Sequence, residues 1–102
     1  MAQRIILYWR DIPAQVIVKA GRVSEKRELP ERFIQAIDAS AMRVGAKDSD
    51  AYLAAWRRGT PETVSDDLAS EADNAFAALL ADYPMERLKQ LIAGGGVENG
   101  AV

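Results

Sequence analysis

The densest group of chemistry-bearing side chains lies near the N-terminus, in Tyr8-Trp9-Arg10-Asp11-Ile12-Pro13-Ala14-Gln15. Two aromatics, a guanidinium, a carboxylate and an amide stand within eight residues. Placed on a tight bend, Arg10 is suited to an anion or carboxylate, with Tyr8 or Trp9 as an apolar wall. Asp11 and Gln15 would orient a polar or anionic group beside it. The same residues also admit a purely structural reading. In it Trp9 anchors the core, Arg10 pairs with Asp11 or another acid, and Pro13 shapes the turn. A second group, Tyr52 with Trp56-Arg57-Arg58, combines aromatic and basic side chains of the kind that stack on bases or meet phosphate. It reads equally as core aromatics followed by cations that suit the end of a helix.

Other chemistry is excluded by composition. The 102 residues include no Cys and no His. Thiol and imidazole nucleophiles, the usual zinc sites, thiolate-held clusters and His-ligated haem are therefore absent. Histidine is also missing as a general acid or base and as a pH switch. Asp48-Ser49-Asp50 and Asp66-Asp67 lack the spacing of a calcium loop and fit helix capping. Gly94-Gly95-Gly96 lacks the Lys, the Ser/Thr and the following helix of a phosphate loop. No catalytic residue, metal ligand or cofactor is assigned. The candidate binding residues are Tyr8, Trp9, Arg10, Asp11, Gln15 and Arg57.

The elements that must position these residues follow from periodicity. Arg4 to Arg10 alternates as a strand with apolar residues on both faces, which predicts a central or doubly covered position. Asp11-Ile12-Pro13 breaks it, and Gln15 to Ala20 forms a second strand that ends at Gly21. The two strands pair most simply as an antiparallel hairpin. Residues 22–29 read as a charged connector. Pro30 opens a helix with Phe33, Ile34, Ile37, Ala41 and Val44 at helical spacing, and Gly45 is its expected C′ residue. Asp48 or Ser49 would cap a short second helix holding Tyr52, Leu53 and Trp56, with Arg57 and Arg58 in its last turn and Gly59 after it. Glu62-Thr63-Val64 fits either an edge strand or a loop. Ser65 is the expected cap of a third helix running to about Asp82, and Pro84 opens a fourth.

The fold class is α+β: an N-terminal antiparallel β-hairpin, with or without a third short strand, against three or four helices. One domain is expected over residues 1–93, with a flexible C-terminal tail over 94–102. The expected core comprises Trp9, Val16, Phe33, Ile37, Leu53, Trp56, Phe76, Leu79, Leu88 and Leu91.

The formal net charge of −2 argues against a nucleic-acid binder held by bulk charge. Its distribution is uneven. Residues 1–60 hold 11 Lys/Arg against 7 Asp/Glu, a net of +4, and residues 61–102 hold 2 against 8, a net of −6. Such asymmetry marks either an interaction surface or oppositely charged elements packed together. No signal peptide or membrane-length apolar stretch is visible, and a cytoplasmic protein is expected.

The run from Tyr8 to Val16 resembles the opening of a small bacterial family named virulence factor. So do Leu29-Pro30-Glu31-Arg32-Phe33, Ala36-Ile37-Asp38, Ser49-Asp50-Ala51-Tyr52-Leu53 with Trp56-Arg57, and Ser65-Asp66-Asp67-Leu68. The similarity extends to about Ile92. It implies a stand-alone copy of a module that in conserved virulence factor C sits within a larger protein with helical repeats. It implies no catalytic residue, cofactor or substrate. Two classes of function follow. One is a small interaction module or accessory subunit with a protein partner and neither nucleic acid nor membrane. The other is a small-ligand binder or enzyme that uses the Trp-Arg-Asp turn.

Overall fold

The computed structural model describes residues 1–46 and 50–97. The fold is α+β, a five-stranded antiparallel sheet with four helices. Strand β1 spans Ala2–Trp9, β2 Ile12–Ala20, β3 Val23–Glu28, β4 Trp56–Arg58 and β5 Glu62–Val64. The helices are α1, Glu31–Arg43; α2, Asp50–Ala54; α3, Leu68–Asp82; and α4, Met85–Ala93. The sheet order is β3-β2-β1-β4, with β5 also on β1. β1 is therefore central, as its two apolar faces require.

The hairpin forms, but its second strand starts earlier than proline chemistry suggests. β2 begins at Ile12, directly across from Trp9, so the turn is only Arg10-Asp11. Pro13 lies inside the strand, opposite Tyr8, where the register shifts between Leu7 and Tyr8. Such an irregularity tolerates a residue without an N–H, and this is how β2 accepts Pro13.

Residues 22–29 are not a connector. Val23–Glu28 pairs with β2 along its length. Its sequence holds one apolar residue, so it gives no hydrophobic alternation. The backbone ladder to β2 holds it in place, and surface ion pairs of Arg27 add to that. Arg27 bonds Glu25 and, across to α3, Asp73, each at 2.9 Å. These two carboxylates push the Arg27 guanidinium above its ordinary pKa, Glu25 first. A charged outer strand also resists pairing with foreign chains.

The second helix ends at Ala54, and Trp56–Arg58 is strand rather than a last helical turn. β1 captures it: Trp9, Tyr8 and Leu7 face Trp56, Arg57 and Arg58. Glu62–Val64 then pairs with the first half of β1, on the same edge as β4. The expected caps Asp48 and Ser49 lie outside the described residues. At α3 the cap is Asp67, which accepts from the Ser70 N–H at 3.3 Å, rather than Ser65. The Ser65 hydroxyl donates to Glu71 instead, at 2.7 Å.

Trp9, Val16, Phe33, Ile37, Leu79, Leu88 and Leu91 are buried as expected. Leu53 is not: it is 68% exposed, because α2 turns Tyr52 rather than Leu53 toward Trp9. Trp56 and Phe76 are only partly covered. α3 packs on the sheet face bearing Arg4, Ile6 and Tyr8, and α1 pairs with α4. One polar side chain is stranded inside. Ser40 on α1 is fully buried and its hydroxyl has no partner among the described residues. An unsatisfied buried hydroxyl costs about 1–3 kcal/mol. Ser40→Ala is therefore expected to raise stability, on the order of 1 kcal/mol, in a urea melt. No helix among the described residues is long and apolar enough to cross a membrane.

Candidate functional site

The β1–β2 turn divides the predicted cluster into two groups with different work. Arg10 has φ +53°, the left-handed region that a non-glycine residue rarely occupies. Its surroundings hold it there. Its N–H donates to the Ala55 carbonyl at 3.0 Å and its Nη1 to the Gly95 carbonyl at 3.1 Å. Its guanidinium carbon lies 5.3 Å from the Trp9 ring centroid. The Asp11 N–H donates to the Gly96 carbonyl at 2.9 Å. Trp9 is fully buried, and its indole N–H donates to the Tyr52 carbonyl at 3.0 Å. Trp9 and Arg10 thus fasten the turn to α2 and to the glycine run after α4.

That run is a clasp. Gly95 and Gly96 are buried with φ +73° and +95°. A Cβ on Gly96 would stand 2.7 Å from the Trp9 ring. Gly95 and Gly96, which the sequence places in the tail, are seated against Trp9 and Arg10. Residues 98–102 lie outside the described residues.

Tyr8, Asp11 and Arg57 do come together. They line a cleft of about 320 Å³ with Gly59, Thr60, Tyr83 and Arg87. The cleft exists because the edge strand is broken. Gly59-Thr60-Pro61 separates β4 from β5 along the edge of β1, and Pro61 has no N–H to offer β1. Gly59 donates to the Ile6 carbonyl at 2.7 Å, close over the Tyr8 ring. A side chain there would meet that ring at 3.0 Å.

Arg57 is fixed from two sides. Its Nε donates to the Arg10 carbonyl at 2.9 Å and its Nη2 to Asp11 at 3.2 Å. Its guanidinium carbon lies 4.5 Å from the Tyr8 ring centroid. Nη1 makes no hydrogen bond among the described residues, and the side chain is 50% exposed. Across the cleft, Arg87 lies 4.1 Å from the Tyr83 ring centroid, with Nη1 on the Asp82 carbonyl at 2.8 Å. Two guanidiniums, each backed by a tyrosine, thus face one opening that contains one carboxylate. Stacking and side bonds hold the forks in orientation, which lowers the entropy lost when an anion binds. No group of metal-ligating side chains stands among the described residues. The arrangement suits recognition of an anionic group.

Gln15 is elsewhere. It lines a groove on the opposite sheet face with Leu7, Ala14, Glu28, Ile34 and Trp56. Tyr52 packs edge-on to Trp56, with ring centroids 6.2 Å apart. Sequence reading missed Gly59, Thr60, Tyr83 and Arg87. Tyr83 and Arg87 carried one usable signal, their i,i+4 spacing across the helix start at Pro84. Nothing local places them near Tyr8.

A family model described as "Virulence factor" matches residues 7–92. No curated protein and no solved structure matches the chain.

Proposed function

The chain belongs to the virulence factor family, and from that membership and the cleft we propose that it is a small protein-interaction module. It takes an anionic group, carboxylate or phosphate, presented by a protein partner between Arg57 and Arg87. The observation that carries this reading is the pair of tyrosine-backed guanidiniums lining a single cleft. A protein partner fits better than a free small molecule. Small-molecule sites are mostly apolar and enclose their ligand. This cleft is polar, and Arg57 stands half in solvent. Arg and Tyr on an accessible surface are the residues that anchor protein interfaces. Arg10 supports the site from below by offering its carbonyl to Arg57.

The test uses a fluorescent Asp/Glu tetrapeptide and its Asn/Gln counterpart. The acidic peptide is expected to bind and to weaken as salt is added. Arg57→Gln is expected to lower its affinity roughly 10- to 100-fold, the scale of a lost charge-assisted hydrogen bond. The far-ultraviolet circular dichroism should not change, since Arg57 is at the surface. Equal binding of the two peptides, or no effect of Arg57→Gln, would contradict the reading.

A further inference from the structure

The sheet face opposite α3 carries an ordered arrangement of side chains that the cleft does not use. Residues directly across antiparallel strands share a face. One row is therefore Arg58, Leu7, Gln15 and Glu28, and the next is Ile5, Ile17 and Lys26. A third holds Thr63, Gln3, Lys19 and Ser24. Ile5 and Ile17 form the floor, at 3% and 9% exposure. Beside them is the groove of about 210 Å³ lined by Leu7, Ala14, Trp56 and Ile34, with Gln15 and Glu28 at its side. Ile34 is the α1 residue that reaches this groove, and it is 43% exposed.

The charge on this face is one-sided. Lys19, Lys26 and Arg58 make no ion pair among the described residues. The rows contain three cations and one carboxylate, Glu28. Cations elsewhere on the sheet are matched: Arg4 with Glu62, Arg27 with Glu25 and Asp73, and Arg57 with Asp11. The apolar surface open to solvent is the groove, where Leu7 and Trp56 are half-buried and Ile34 is exposed.

We infer that this face docks an acidic amphipathic helix of a partner protein. Its apolar stripe lies along Leu7, Trp56 and Ile34, and its carboxylates meet Lys19, Lys26 and Arg58. Strand addition is disfavoured, because β3 is heavily charged and the other edge is split at Gly59-Thr60-Pro61. Single-stranded nucleic acid is disfavoured, because Trp56 is the one aromatic residue in these rows and this groove. The inference does not depend on the cleft, which is on the other face.

The probe is a labelled Leu/Glu amphipathic peptide of about 18 residues, above the length at which isolated helices are marginal. Its Leu/Lys counterpart and a single-stranded oligonucleotide serve as comparisons. The Leu/Glu peptide is expected to bind, with backbone amide shifts centred on Leu7, Ile17, Lys26 and Ile34. The double variant Lys26→Glu/Arg58→Glu is expected to lower its affinity about tenfold or more, as two attractions become repulsions. Both residues are exposed, so circular dichroism should be unchanged. Ile34→Ser should weaken binding without altering the salt dependence. In Arg57→Gln the amide shifts at Leu7, Ile17, Lys26 and Ile34 should persist, whatever the cleft itself binds. Equal binding of the Leu/Lys peptide, tighter binding of the oligonucleotide, or insensitivity to the double variant would overturn the inference. So would loss of binding on Arg57→Gln alone, which would place the peptide in the cleft. Concentration-dependent dimerisation abolished by Ile34→Glu would assign the face to a second copy and overturn it as well.

Discussion

Gly96→Ala is expected to destabilise the protein by on the order of 3 kcal/mol, from two additive sources. The first is backbone. Gly96 has φ +95°, and the left-handed region costs a residue with a Cβ about 1–2 kcal/mol. The second is collision. The new methyl would stand 2.7 Å from one Trp9 ring carbon and 3.2 Å from another. Trp9 cannot yield, since it is fully buried and held by Tyr52. Overpacking of this kind costs about 1–3 kcal/mol. Gly45→Ala isolates the first source. Gly45 has φ +70° and open space around its Cβ direction, so it should lose only about 1–2 kcal/mol. Urea midpoints of the two variants give the comparison. Equal losses would show that the glycine run does not press on Trp9.

Phe33→Ala is expected to cost about 3–5 kcal/mol, the usual range for a fully buried phenylalanine. Phe33 has no exposed surface and meets Tyr83 edge-on, with centroids 6.2 Å apart. The loss would consume much of the stability of so small a domain. Phe76 lies on α3 at the core margin and is only partly covered. Phe76→Ala should cost less, on the order of 1–2 kcal/mol. The order of the two denaturation midpoints is the check. Phe33 packs directly against Tyr83, so its truncation should also loosen that wall of the cleft.

The elements read well from sequence wherever burial is periodic. The apolar positions of α1, α3 and α4 recur at helical spacing, and β1 alternates along its length. What escaped was set by partners distant in the chain. β3 is held by pairing to β2 and by the bond from Arg27 to Asp73, 46 residues away. Trp56-Arg57-Arg58 has the composition of a helix end, and only the open edge of β1 makes it a strand. The left-handed turn at Gly21 was the local clue to β3, because two-residue hairpin turns need a positive φ. Three of the seven residues lining the cleft were legible in the sequence. Tyr8 lies just before the turn and Asp11 within it, and Arg57 stands out as a basic residue beside an aromatic one. Trp9 and Arg10 are near them in sequence but turn inward to the glycine clasp, while strand alternation sends Gln15 to the opposite face. Tyr83 and Arg87 arrive only through the packing of α3 and α4.

The cleft itself is tested most directly by side-chain nuclear magnetic resonance. The arginine Nε–H signals are followed while inorganic phosphate, and separately acetate, is added at constant ionic strength. Arg57 and Arg87 are expected to shift together along saturable curves, while the surface arginines Arg22 and Arg43 drift little. Arg57→Gln should abolish the response of Arg87 or weaken it about tenfold or more. Uniform small drifts at all four arginines, with no saturation, would contradict an anion site between Arg57 and Arg87.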